Sequence, residues 1–140
     1  MRRVAIVSPI RTAVGKFQGG LSSMTAGDLG AVILRALVER TKLDPERVDD
    51  VIFAQGYGNG EAPCIARWSL LAADFPISVP GYQLDRRCGS GLQAVMMASD
   101  SLMAGSADVI VAGGMESMSG APYLMTKHRG GARIGHDVIV

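Results

Sequence analysis

Apolar residues come in short unbroken runs separated by stretches of helical spacing. Val4-Ala5-Ile6-Val7, Val51-Ile52-Phe53-Ala54 and Val109-Ile110-Val111-Ala112 lack any polar alternation. Such runs are expected of strands buried on both faces. Pro9 ends the first, and residues 78–84 make a fourth strand. From Thr25, apolar residues fall at 29, 32, 33, 36 and 37, which predicts a helix to about Glu39 or Arg40. Thr25 with Asp28 three residues on is a weak capping pattern. A second helix covers 63–73, with Ile65, Leu70 and Leu71 inward and Trp68 either packed, the favoured reading, or at the edge of an interface. A third begins near Cys88, carries Leu92, Val95, Met96, Ser99, Leu102 and Met103 on one side, and stops at Gly105. The Gly- and Ser-containing stretch 11–24 reads as loop. After Ser119 the pattern dissolves into a loop over 120–137, with 137–140 as the next element. Strand–helix alternation of this kind predicts an α/β sheet with helices on its faces.

The 140 residues fit one ordinary domain, and 48% apolar content is enough for a packed core. The net charge is +1 and aromatics are only 5%. With no basic stripe interleaved with aromatics, nucleic acid is a poor partner. The apolar runs fall far short of a membrane span. Met1-Arg2-Arg3 resembles the charged end of a signal peptide, but the run behind it is short and interrupted by Pro9. Cys64 and Cys88 form neither a disulfide framework nor a metal spacing, so a reducing, cytoplasmic compartment is the default and no metal is expected. The string Gly56-Tyr57-Gly58-Asn59-Gly60 lacks the spacing of a dinucleotide fingerprint and opens no helix directly.

Cys88 is the main candidate for chemistry. It lies where an apolar strand gives way to a helix, in Asp85-Arg86-Arg87-Cys88-Gly89-Ser90-Gly91. Backbone N–H groups at a helix start, together with the helix dipole, favour a thiolate, and the thiolate is the nucleophile. Small residues at 89, 90 and 91 leave room for a substrate carbonyl. The plain alternative is a small buried apolar residue, which is how free cysteines often behave. Glu116 reads as a solvated or backbone-bonding carboxylate rather than a base. His128 and His136 read as loop residues. Arg86, Arg87, Arg129 and Arg133 could meet phosphates or simply be solvated.

The stretch from Asp85 to Val95 resembles the nucleophile segment of the thiolase family. Val111-Ala112-Gly113-Gly114-Met115-Glu116-Ser117-Met118-Ser119 is similar to that family's glycine-rich loop, and Pro9-Ile10-Arg11-Thr12 with Gly15-Lys16-Phe17 matches its opening. The likeness covers nearly all of this chain and the first third or so of a family member. It implies a coenzyme A acyltransferase in which Cys88 accepts an acyl group from a 3-ketoacyl-CoA or from acetyl-CoA. The CoA thioester is a substrate, and no cofactor is implied. Met118 and Ser119 resemble positions beside the acyl pocket. The family also uses a histidine in a Gly-His-Pro motif, a second cysteine near the C-terminus and an Asn-Glu-Ala-Phe segment; none of these occurs here. Gly135-His136-Asp137 lacks the proline and comes too early to supply the histidine.

By the same resemblance, residues 1–119 correspond to the thiolase N-terminal half, with a mixed sheet lacking its last strand. Residues 120–140 begin an inserted loop domain. A chain left in that state exposes a sheet edge and apolar surface, so aggregation or a partner is expected. Family members are usually dimers or tetramers, which points to strand-to-strand pairing in a homo-oligomer. Two departures sit beside the nucleophile: Asp85 where relatives usually have Asn, and Arg87 where many have Leu. Two other readings remain open at this point. One is a noncatalytic thiolase-like partner subunit; the other is a β-ketoacyl synthase-type relative.

Overall fold

The computed structural model describes residues 2–131, 134–136 and 138–140. Its elements run α1 (Ala26–Thr41), β1 (Asp50–Ala54), α2 (Ile65–Ala72), β2 (Gly81–Leu84), α3 (Ser90–Ala104) and β3 (Ile110–Gly114). The strands pair in parallel in the order β2-β1-β3. Ile52 pairs with Tyr82 on one side and Ala112 on the other. The central strand is therefore covered on both edges, and side-chain alternation covers both of its faces. Val51 and Phe53 join a core with Ala31 and Leu34 of α1 and Ile65, Ala66 and Leu70 of α2. Ile52 points the opposite way, onto Ala94 and Ala98 of α3. The unbroken apolar run at 51–54 follows from this two-sided burial.

Local signals set the helix ends. Thr25 Oγ1 accepts from the Asp28 N–H, and the Asp28 carboxylate accepts from the Thr25 N–H, so the capping box is complete. Gly105 closes α3 in the left-handed region at φ 79°. β2 is shorter than the expected 78–84. Val79 N–H donates to Pro76 O in a turn, and Pro80 has no N–H to give a ladder. At the entrance to the sheet, the Asp49 carboxylate accepts from the N–H groups of Asp108 and Val109. Those two bonds hold the carboxyl below its ordinary value.

The expected strand at residues 4–7 is not formed. Ile6 and Val7 are 78% and 75% exposed, and Ser8 turns the run aside at φ 50°. A strand needs a neighbouring edge, and no strand described here pairs with this run. It is nonetheless tethered beside β3. Arg2 Nη1 meets Asp108 Oδ1 at 2.6 Å just before that strand, and the Gln18 N–H donates to Ser119 Oγ at 2.8 Å beyond it. Between residues 4–12 and β3 lies an apolar groove of about 1110 Å³. The expected element at 137–140 is partly described: Asp137 lies outside the described residues, while Leu124 and Val140 exchange backbone bonds beside an antiparallel Met125–Ile139 bridge.

The tightest packing is where α1 crosses α2. A methyl group at Gly27 would stand 2.4 Å from the Trp68 ring, and one at Gly30 would stand 2.4 Å from Ser69 Oγ. Ser69 is fully buried, and its hydroxyl donates to Gly27 O. Two glycines inside a helix each forgo about 1 kcal/mol of propensity relative to alanine. Close approach of the helices requires them here. Gly27→Ala should therefore destabilise the chain by about 1–3 kcal/mol, overpacking outweighing the propensity gain. The urea midpoint reports this; an unchanged or raised midpoint would show that Trp68 moves aside freely.

Candidate active site

α1 and α2 cover one face of the sheet and α3 the other. The chain therefore leaves β1 toward one face and β2 toward the opposite face. In parallel α/β sheets the carboxyl ends of two such neighbouring strands open a crevice, and ligands bind there. Cys88 sits at this crevice, four residues past the end of β2.

The turn carrying Cys88 is held by its neighbours. Arg87–Gly89 form one turn of 3-10 helix, and α3 begins at Ser90. Cys88 thus precedes the α-helix by two residues instead of opening it, and its side chain is exposed. Ser90, only 4% exposed, accepts from the Arg86 N–H and donates to Arg87 O, both at 2.6 Å. Arg87 lies in the left-handed region at φ 49°, uncommon for a residue with a side chain. Nothing lies within 4 Å of where a Cβ would stand at Gly89 or Gly91, so space is open on either side of the buried serine.

Bonds from the flanking loops converge on the exit of β1. The Glu116 carboxylate, past β3, accepts from the N–H groups of Gly56 at 2.8 Å and Tyr57 at 3.3 Å. Glu116 is therefore the backbone-bonding carboxylate the sequence favoured over a base. Arg87 Nη1, past β2, donates to Gly56 O at 2.5 Å and to Asp85 Oδ2 at 2.8 Å. Asp85 Oδ1 also accepts from the Arg87 N–H. Arg86 is turned onto Gln93. The two arginines beside Cys88 thus spend donors on the protein rather than presenting both forks outward. Arg129 is exposed, and Arg133 lies outside the described residues.

Met118 and Ser119 follow β3, two strands across from β2. β1 lies between their strand and the one that leads to Cys88. Met118 is 52% exposed, and Ser119 Oγ receives the Gln18 N–H. Ser117 Oγ donates to Met24 O, so the loop after β3 also anchors the segment ahead of α1. A small polar cavity of about 90 Å³ lies in that region, lined by Ser23, Thr25, Gln55, Tyr57 and Ser117 among others; Cys88 is not part of its wall. Among the described residues, no group of three or more His, Cys, Asp or Glu gathers as a metal site. Nor, among the described residues, is any helix long and apolar enough to cross a membrane.

Sequence reasoning placed Cys88 between a strand and a helix and missed what holds its turn. Ser90 was legible only as a small residue, and Glu116 acts on a loop 60 positions away. The spacing from Arg86 to Ser90 was the available signal, because a serine in the first turn of a helix can accept from a backbone N–H just ahead of it.

The fold is thus a parallel α/β sheet with helices on both faces and an exposed cysteine on the turn after β2. Comparison with known proteins gives the family. The model of the thiolase N-terminal domain matches residues 4–140, and the chain belongs to the thiolase family. It is 44% identical over 140 residues to an acetyl-CoA acetyltransferase of Cupriavidus necator, covering all of this chain and 36% of that protein. It is 45% identical to a protein of the same description from Pseudomonas aeruginosa, again over 36% of the relative's length. The crystal structure of the Bacillus anthracis acetyl-CoA acetyltransferase superposes with a TM-score of 0.83 at 39% identity, over 89% of this chain and 32% of that one. The chain thus spans little more than a third of the curated relatives it matches.

Removing the Ser90 hydroxyl leaves the part-buried Arg86 N–H and Arg87 carbonyl without this partner at once. Ser90→Ala should cost roughly 1–3 kcal/mol in urea denaturation. A midpoint equal to that of the unsubstituted chain would show that the turn is held without this side chain.

Proposed function

We propose that Cys88 is the acyl acceptor of a thiolase reaction on acyl-CoA or acetyl-CoA. The observation that carries this reading is its position: an exposed thiol on a turn pinned from both sides, at the crevice of the sheet. In the thiolytic direction the sulfur attacks the C3 carbonyl of a 3-ketoacyl-CoA. The C2–C3 bond breaks, acetyl-CoA leaves after its C2 carbon takes a proton, and the acyl group remains on sulfur as a thioester. A CoA thiol then takes the acyl group and returns the proton balance. In the reverse sense Cys88 is acetylated by acetyl-CoA, and the carbanion of a second acetyl-CoA attacks the new thioester. Exchange of one thioester for another is nearly neutral in bond type, so the protein's part is to position, activate and stabilise an oxyanion.

Met118 and Ser119 are proposed to border the acyl group from the loop after β3. Residues 1–119 form the N-terminal α/β unit, and 120–140 open a separate loop segment. Its backbone closure between Leu124 and Val140 supports that division. Substrates are CoA thioesters, free of nucleic acid or membrane partners, in the cytoplasm. The exposed edge of β2 is the proposed pairing surface of a homo-oligomer. The 140 residues contain none of the motifs that supply the family's general base and second cysteine. Loss of a general base costs roughly 10²–10⁴ in rate. By the family resemblance the Asn-Glu-Ala-Phe segment, also not found in these residues, helps build the oxyanion site, and loss of one oxyanion donor costs roughly another 10²–10³. The chain by itself is therefore expected to acylate slowly and to turn over negligibly.

Intact-mass spectrometry after incubation with acetoacetyl-CoA tests this. The expected result is a gain of one acetyl group that is absent in Cys88→Ala. A folded sample with no adduct, or an adduct that persists in Cys88→Ala, would contradict the assignment.

A further inference from the structure

Resting on the reading of Cys88 as the nucleophile, we infer that Arg87 is a positioning residue that clamps the Cys88 turn to the exit of β1, with Glu116 fixing that exit from the other side.

Gly56 is the shared point. Its carbonyl accepts from Arg87 Nη1 at 2.5 Å, and its N–H donates to Glu116 Oε2 at 2.8 Å. One peptide segment of the central strand's loop is thus gripped through both polar groups of a single residue, by side chains from the two neighbouring loops. Neither grip is local in sequence, since 31 positions separate Arg87 from Gly56 and 60 separate Glu116 from it. Both grips are built at the carboxyl ends of the strands, the end where the crevice opens.

The arginine backbone needs the restraint. A left-handed conformation at Arg87 is disfavoured by its side chain, and such strain persists only when the surroundings over-determine it. The surroundings here are specific. Asp85 takes the Arg87 N–H on one oxygen and Nη1 on the other, both at 2.8 Å. The Arg87 carbonyl takes the Ser90 hydroxyl at 2.6 Å. The residue immediately before the nucleophile is therefore fixed at its N–H, its C=O and its side chain. Cys88 inherits its direction from that fixed peptide. The charge of Asp85 completes the arrangement: the guanidinium faces a carboxylate as well as a carbonyl, and charge-assisted bonds are the stronger kind.

Both side-chain bonds leave one nitrogen, Nη1. A lysine ammonium carries three donors at one point, so Arg87→Lys could remake both, whereas Arg87→Leu can make neither. That difference separates a positioning role from simple packing of the side-chain stem.

Two measurements on the 140-residue chain test the inference. The first is hydrogen exchange resolved to peptides 55–57 and 86–90 in Arg87→Leu, Glu116→Ala and the double variant. A clamp predicts faster exchange at Gly56 and Tyr57 in Arg87→Leu, although their acceptor is untouched. It also predicts faster exchange over 86–90 in Glu116→Ala, and a double variant no worse than the more affected single one. Substitutions that loosen only their own loops, with additive effects, would overturn it. The second measurement is the rate of Cys88 thioester formation from acetoacetyl-CoA divided by the rate of Cys88 alkylation by iodoacetamide. Acyl transfer needs a directed sulfur, and alkylation by a small reagent needs only an accessible one. Arg87→Leu should lower the ratio by roughly 10- to 100-fold, and Arg87→Lys should restore most of it. An unchanged ratio in Arg87→Leu would overturn the inference. A chain that forms no thioester even unsubstituted removes the nucleophile reading instead, and the exchange coupling then decides the clamp by itself.

Discussion

The structure depends on β1 being buried on all four sides. Its two edges take the ladders of β2 and β3, and its two faces take α1 with α2 and α3. Val51, Ile52 and Phe53 are each at most 2% exposed. Removing apolar side chains of this size from water contributes roughly 1.5–3 kcal/mol each. A strand so enclosed can shift register only by exchanging its Val51 and Phe53 contacts for those of Ile52, which would misfit both helical layers. The exit of β1 is therefore the most firmly placed point at the carboxyl end of the sheet, and the flanking loops take their positions from it.

The turn that carries Cys88 inherits that placement. Gly56 lies two residues past β1 and is held by Glu116 and Arg87. Arg87 in turn precedes Cys88. Burial of an apolar strand, the directions taken by the connections, and the aim of one thiol form a single chain of causes. It also explains why exposed polar side chains matter at this site. Arg87 and Asp85 retain 73% and 39% of their side-chain exposure, so their ion pair adds little to stability. Their contribution is geometric.

Much of the fold was legible because it is local. Helical spacing located α1, α2 and α3; Thr25 with Asp28 marked one start, and Gly105 one stop. Unbroken apolar runs located β1 and β3. The same rule failed at residues 4–7, because a run of apolar residues says nothing about whether an edge is available to pair with it. It overextended β2, where Pro80 and the turn at 76–79 set the limit. The apolar pattern carries no signal for the glycines at 27 and 30, whose reason is the Trp68 ring and Ser69 packed against them. At the site, Cys88 was legible from its small neighbours and the strand-to-helix transition. Its supports were not, since Gly56, Arg87 and Glu116 meet only after the sheet has formed. Ser119 was read as a residue beside the acyl group, and its hydroxyl receives the Gln18 N–H.

On the proposed reading, the folded sheet and not the thiol alone makes Cys88 an acyl acceptor. Cys64 supplies an internal standard: a second free thiol, half-buried, whose Sγ lies 3.4 Å from Gly81 O. The most direct measurement is peptide mapping of acetyl groups on the two cysteines after exposure to acetyl-CoA, in buffer and in denaturing urea. Acetylation should be confined to Cys88 in buffer and lost in urea. Equal labelling of Cys64 and Cys88 in buffer, or labelling of Cys88 that survives unfolding, would contradict it.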